Sequence, residues 1–152
     1  MLADSANMRE PKLFKDPITK ERLKRYRHLV IETENQIERA ARARAQLDAR
    51  PSIISDMPHS NYAVDRMAIG VNRLIELEKA RDDMIARMTA ETEEIEKAIS
   101  KLPDPREREL MRMKYFDGIP WERIAETFEM SRQWATQLHG RILIKLYNIT
   151  CH

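Results

Sequence analysis

Polar side chains recur at helical spacing near the end of the chain: Ser131, Arg132, Gln133, Thr136, Gln137 and Arg141. Residues three and four apart share one face of a helix, so these side chains would project together. In the major groove of DNA, arginine can make two hydrogen bonds to one guanine, and glutamine two to one adenine. From Ser131 onward there are three Lys or Arg and no Asp or Glu, which suits this segment to face phosphates. We therefore predict a DNA-reading helix that begins at Ser131.

Two shorter elements must hold this helix in place. The sequence predicts a short helix over residues 120–128, a tight turn at residues 129–130, and a final helix that runs to about Tyr147. The small side chain of Ala125 would let the two helices cross closely. The inner face of the final helix is expected to carry Ala135, Leu138, Ile142 and Leu146, with Trp134 and Leu143 at its margin. This is the pattern of a helix-turn-helix unit, whose second helix enters a major groove about 12 Å wide.

A further helix is predicted to start at Asp104, which can act as its N-cap. Pro105 suits the first helical position, and Glu107 can complete a capping box with the cap residue. A turn over residues 116–119 follows, where Gly118 supplies the backbone freedom. Residues 103–152 are therefore the predicted DNA-binding domain.

Two long helices are predicted before this domain, over residues 17–50 and 61–102, with a loose tail at 1–16 and a linker at 51–60. In the first helix, a seam alternates in steps of three and four through Leu23, Tyr26, Val30, Thr33, Ile37, Ala40, Arg44 and Leu47. The second helix continues the alternation from Val64, Met67, Val71 and Leu74 to Ile95, Ile99 and Leu102. A helix of about 40 residues spans about 60 Å and cannot bury its stripe against itself, so it needs a partner.

Opposite charges indicate how the long helices pair. The first opens with a basic run at residues 20–27, and the second closes with an acidic run at residues 82–96. An antiparallel hairpin, which we expect to be a coiled coil, lays these runs side by side. Pairing between two chains in a homodimer would also bury the seams, and the sequence leaves that alternative open. Each exposed ion pair contributes only ~0.2–1 kcal/mol, so the charges choose a register rather than supply stability.

The composition fits an all-α protein, since 34% of the 152 residues are charged, 6% are aromatic and three are glycine. Cys151 is the only cysteine, which fits a reducing, cytoplasmic compartment. No apolar run approaches the ~18 residues of a membrane span. The four histidines have no partners at ligand spacing, and the sequence contains neither a phosphate-binding loop nor a nucleophile with its base. We predict no metal, no cofactor and no enzymatic activity.

The segment from Leu102 to Leu146 resembles region 4 of the sigma-70 family. The shared motifs occur in order as a Pro-Arg-Glu-Arg helix, a Tyr-Phe-x-Gly turn, a Glu-x-Ile-Ala helix and a Ser-Arg pair that opens the recognition helix. From about Leu23 to Leu146 the chain also resembles phage-encoded, sigma-like regulators of Gram-positive bacteria, related to the ArpU-type late-gene regulators. These carry a Ser-Asp-Met-Pro linker, here residues 55–58, and a Leu-His-Gly-Arg run, here residues 138–141.

The resemblance implies roles for individual residues. The base-reading positions fall on Arg132, Gln133, Thr136 and Gln137, and the backbone contacts on Arg141 and Lys145. The chain departs from the family at Pro120, where a Ser or Thr cap is usual, and at Ala135, which replaces a larger aliphatic residue. We expect Trp134 to compensate by folding into the core. His139 is expected on the helix surface, either in contact with a phosphate or without a special role.

The expected function is that of a sequence-specific regulator of phage or prophage genes, which binds double-stranded DNA in the major groove. The hairpin would then form a homodimer or dock on RNA polymerase. One alternative is a DNA-packaging protein like the small terminase subunits, which combine a helix-turn-helix with an oligomerising helical segment. The other is a helical protein-interaction module.

Overall fold

A computed structural model describes residues 14–49 and 61–151, with residues 61–63 described by their backbone only. Within these ranges the fold is all-helical and contains no strand, as predicted. The helices are α1 (Lys20–Asp48), α2 (Asn61–Ile99), α3 (Pro105–Tyr115), α4 (Trp121–Thr127) and α5 (Arg132–Thr150). The predicted linker at 51–60, including its Ser55–Pro58 motif, and the first 13 residues of the predicted tail lie outside the described residues. None of the described helices combines the length and the apolar character that a membrane crossing requires.

The chain divides into two compact units, which do not coincide with the predicted domains. Of the described residues, one unit contains 14–27 together with 90–151, and the other contains 28–49 together with 61–89. The first two turns of α1 and the last turns of α2 therefore group with α3, α4 and α5.

Segment 14–19, part of which was assigned to a loose tail, is packed in the first unit. Phe14 is buried, and the ammonium groups of Lys97 and Lys101 lie 5.5 and 5.6 Å from the centre of its ring. The backbone N–H of Ile18, which is fully buried, donates a 2.7 Å hydrogen bond to Oγ1 of Thr150. The chain just before α1 is thus attached to the end of α5.

The predicted seam of α1 is largely buried. Leu23, Tyr26, Val30, Thr33 and Ala40 all have little exposed surface. Thr33 is tolerated there because its hydroxyl donates to the carbonyl of Leu29 at 2.7 Å. At the next step the prediction is wrong, since Ile37 is exposed and Gln36 is buried in its place. The amide of Gln36 donates to the backbone carbonyl of Leu77 at 3.3 Å, a contact within the second unit.

Among the described residues, one cation of the basic run, Arg22, forms ion pairs with the acidic run. Arg22 forms ion pairs with Glu91 at 2.7 Å and with Glu94 at 3.1 Å. Another member of the acidic run, Glu96, pairs instead with Arg112 of α3 at 2.6 Å. Within the described parts of the chain, Lys20 and Lys24 form no ion pair.

The start of α3 is capped, but not by the predicted capping box. The carboxylate of Asp104 accepts a 2.8 Å hydrogen bond from the backbone N–H of Arg106, and Pro105 occupies the first turn. Glu107 is instead buried, and its carboxylate pairs with Lys145 of α5. After α3 the chain turns at Gly118, whose φ of +68° lies in the left-handed region that glycine adopts without strain.

Candidate nucleic-acid interface

A tight turn joins α4 to α5. The backbone N–H of Met130 donates to the carbonyl of Ala125 at 3.0 Å, and Glu129 adopts a positive φ of 54°. The hydroxyl of Ser131 then accepts a 3.1 Å hydrogen bond from the N–H of Trp134, which makes Ser131 the N-cap of α5 as predicted. Pro120 precedes α4 and supplies no side-chain cap.

The inner faces of α4 and α5 carry both small and large buried residues. Ala125 on α4 and Ala135 on α5 are both buried, as are Ile142 and Leu146. Leu138, which was placed on the inner face, is only half-buried. The residue that follows it, His139, is buried instead.

The outer face of the first two turns of α5 consists of exposed polar residues. Four of the six predicted DNA-contacting residues beyond the cap lie on it: Arg132, Gln133, Thr136 and Gln137 are all exposed. Gly140 continues this face, and a methyl group added at its Cα would meet no other atom within 4 Å. Ile144, one turn further along, is 65% exposed. The face is therefore polar and bare near the N-terminus of α5 and apolar one turn beyond Gly140.

Arg132 is not isolated on this face. Its guanidinium lies 3.2 Å from the carboxylate of Glu122 on α4, and both side chains are more than half exposed. An exposed pair of this kind contributes about 0–1 kcal/mol, so an incoming phosphate or base could displace Glu122 at little cost. The first turn of α5 contains no acidic residue, which leaves the positive end of the helix dipole available to an anion.

Trp134 is not part of the core, so that prediction is wrong. Its side chain is 42% exposed, and the guanidinium of Arg141 lies 5.0 Å from the centre of its ring. The neighbouring Ala135 occupies the inner face instead and is fully buried. Arg141 is exposed, as expected for a DNA contact, but it is also oriented by the Trp134 ring.

Lys145 contacts a buried carboxylate rather than standing free. Its ammonium lies 2.7 Å from Oε1 of Glu107, whose side chain is 6% exposed, whereas the Lys145 side chain is 49% exposed. Among the described residues, Oε2 of Glu107 has no hydrogen-bond partner. This pair ties α3 to α5, so Lys145 has a structural role whether or not it also contacts DNA.

His139 lies in a buried ring cluster. A 2.7 Å hydrogen bond joins its Nε2 to the hydroxyl of Tyr115, and the Trp121 ring meets it edge-on at 4.9 Å between centres. Burial, together with the charges of Lys20 and Lys114, lowers the pKa of His139 to about 4. Burial also raises the pKa of Tyr115 to about 12. Both expectations for His139 placed it on the surface, and both are wrong.

The sequence contained a signal for His139 but none for the Lys145 contact. His139 is four residues after Ala135 and three before Ile142, so helical spacing alone puts it on the inner face. The contact between Glu107 and Lys145 joins residues 38 positions apart, and no local pattern indicates it.

Across the described residues, no three potential ligands converge in a way that could hold a metal ion. No family model, curated protein or solved structure matches the chain.

Proposed function

We propose that the protein is a sequence-specific DNA-binding regulator of transcription, in which α4 and α5 form a helix-turn-helix and α5 enters the major groove. The observation that supports this most is the outer face of α5. Arg132, Gln133, Thr136 and Gln137 are exposed together, directly after an N-capped helix start and a tight turn. Arginine and glutamine on the first turns of such a helix can make paired hydrogen bonds to base edges.

The proposed assignment to phage or prophage genes rests on the sequence resemblance to sigma region 4 and to the ArpU-type regulators. The packing supports the same domain type. The motifs that carry the resemblance lie on α3, the turn at Gly118, α4 and the start of α5, and these elements belong to one compact unit.

The first experiment is selection of DNA from a pool of random duplexes by the purified full-length protein, followed by measurement of affinity for the enriched sequence. We expect a defined motif, and binding at least about a thousandfold tighter than to scrambled DNA. We also expect affinity to fall as salt rises, because phosphate contacts release counterions. Enrichment of no motif by a folded protein would refute the proposal.

A Gln133→Ala/Gln137→Ala variant tests which residues read the bases. Both side chains are exposed, so the variant should fold normally. It should lose preference at one or two base positions, at about 1–3 kcal/mol each, and retain the salt dependence of the wild type. A variant at exposed Arg39 and Arg42, which lie in the other unit, serves as the control.

We further propose that α1 and α2 form an antiparallel hairpin. Within each unit the two helices are in contact: Arg22 meets Glu91 in one, and Gln36 meets Leu77 in the other. A hairpin in which early residues of α1 meet late residues of α2 accounts for both contacts.

The start of α2 favours pairing with another chain as part of this function. Val64 and Met67, which belong to the predicted seam, are 60% and 57% exposed, and Leu74 is the first seam residue along α2 that is buried. We propose a second copy of the chain as the partner, and RNA polymerase as the alternative. Mass measurement in solution tests this. We expect the wild type to be a dimer and Val64→Asp/Met67→Asp to dissociate it. A monomeric wild type would contradict the homodimer and make RNA polymerase the remaining candidate partner. A large ring would instead favour a DNA-packaging protein.

A further inference from the structure

The first turns of α1 carry basic residues on the face that adjoins the ring cluster. Lys20, Lys24 and Arg27 follow one another at spacings of four and three, so they share one side of the helix. Arg22 lies on a different side, where it is buried against Glu91 and Glu94. The acids of α2 therefore neutralise Arg22 and leave the Lys20 side without a carboxylate partner.

The positions of Lys20 and Lys24 are electrostatically unfavourable within the fold. Lys20 and Lys24 are exposed, and neither they nor Lys114 form an ion pair with any residue that the structure describes. Like charges four residues apart on a helix destabilise it by about 0.2–0.5 kcal/mol. Lys20 is also the first residue of α1, where the positive end of the helix dipole disfavours a cation. Folding alone thus gives no reason for Lys20 and Lys24 to lie on one side of α1.

Arg27 and Lys114 contact residues that pack against His139 in the middle of α5. Arg27 donates a 3.4 Å hydrogen bond from Nη1 to the carbonyl of Tyr115, the last residue of α3. The Lys114 ammonium lies 4.8 Å from the centre of the Trp121 ring, which in turn packs on His139.

Two of these lysines act electrostatically on the same side chain. The charges of Lys20 and Lys114 both act on His139. Burial lowers the pKa of Lys114, the nearby charge of Arg27 lowers it further, and Glu122 opposes them. Glu122 is the carboxylate that faces this group, and it also pairs with Arg132.

We propose that Lys20, Lys24 and Lys114 form a second phosphate-binding surface, which holds the backbone of the same DNA duplex whose major groove α5 enters. This inference rests on the proposed function and extends the DNA interface from α5 to the start of α1. The occupant follows from charge complementarity, since ammonium groups without an ion-pair partner, in the same unit as a proposed groove-reading helix, match the phosphates of its DNA. Such contacts position the protein on the duplex and carry no sequence information.

The test compares salt dependence between variants of the full-length protein, with the duplex enriched by selection as the probe. Each phosphate contact contributes about 0.9 to the slope of log affinity against log salt. Lys20→Gln/Lys24→Gln should therefore reduce the magnitude of the slope by about 1.8, and Lys114→Gln by about 0.9. The ratio of affinities for selected and scrambled DNA should stay unchanged. Circular dichroism checks that each variant is folded.

The matched control is Arg73→Gln/Lys79→Gln, which removes two exposed charges from α2 in the other unit. Its slope should equal that of the wild type. Suppose that the wild type binds its selected duplex. If Lys20→Gln/Lys24→Gln then has the wild-type slope, or lowers the slope no more than the control variant does, the second surface is refuted while the proposed function stands. If the wild type shows no specific DNA binding at all, both the surface and the proposed function fail.

Discussion

Two glycines of the proposed DNA-binding domain offer the same substitution with opposite expected effects on stability. Gly118 has a φ of +68°, and a Cβ built there would lie 2.7 Å from Nη2 of Arg27. An L-residue in this conformation costs about 1–2 kcal/mol, and displacement of Arg27 would also disturb its hydrogen bond to Tyr115. We therefore expect Gly118→Ala to lower the free energy of unfolding by about 1–2 kcal/mol.

Gly140 lies inside α5 on its outer face, where a Cβ would meet nothing within 4 Å. Glycine in a helix interior is about 0.5–1 kcal/mol less stable than alanine, so Gly140→Ala should raise the free energy of unfolding by that amount. The two variants should then differ by about 2 kcal/mol in urea denaturation followed by circular dichroism. Destabilisation by Gly140→Ala would show that this face of α5 is covered in the folded protein, contrary to the structure.

DNA binding should separate the two roles of Gly140. If the outer face of α5 lies against DNA, an added methyl group at Gly140 obstructs the approach. We expect Gly140→Ala to weaken binding to the selected duplex about tenfold, or about 1.4 kcal/mol, although the protein itself becomes more stable. Unchanged affinity in the stabilised variant would refute close approach of DNA at this position.

Three further perturbations follow from the contacts around α5. The folded state lowers the pKa of His139 from 6.5 to about 4, so the unfolded chain binds a proton that the folded chain does not. The contribution of His139 to the free energy of unfolding is therefore complete above pH 6.5. It falls by about 3 kcal/mol as the pH drops to about 4. Urea denaturation over that pH range should show the fall, and His139→Gln should flatten it. Lys145→Ala should destabilise the fold by about 1–3 kcal/mol, because Glu107 is left buried and unpaired, and adding Glu107→Gln should restore part of the loss in the same assay. Glu122→Gln should tighten DNA binding in a titration, since it frees Arg132 and removes a negative charge beside the groove-facing surface. Weaker binding by Glu122→Gln would mean that Glu122 positions Arg132 for DNA instead.

Local patterns predicted the elements well. Capping residues and turn glycines are read from neighbours in sequence, and Asp104, Ser131 and Gly118 each perform the predicted local role. Helical spacing also placed most of the buried seam of α1, because burial repeats with the helix period. The exposed polar residues at 132, 133, 136 and 137 were predicted for the same reason.

Local sequence patterns could not predict side-chain contacts between distant segments of the chain. The burial of Phe14 and Ile18 depends on contacts with residues more than 80 positions away, and a short mixed-charge segment carries no sign of them. Glu107 was assigned to its own helix start, whereas a lysine on α5 proved a nearer partner. Trp134 was expected to fold inward to compensate for the small Ala135, but Ala135 is fully buried and Trp134 is 42% exposed.

The contact of α5 with DNA is the central claim, and NMR can test it residue by residue. The isotope-labelled full-length protein is titrated with the duplex that it selects, and backbone amide shifts are followed residue by residue. We predict saturable changes that are largest over Ser131 to Arg141, with smaller changes at the start of α1. Changes confined to α2, or no saturable change at α5, would contradict a groove-reading role for this helix.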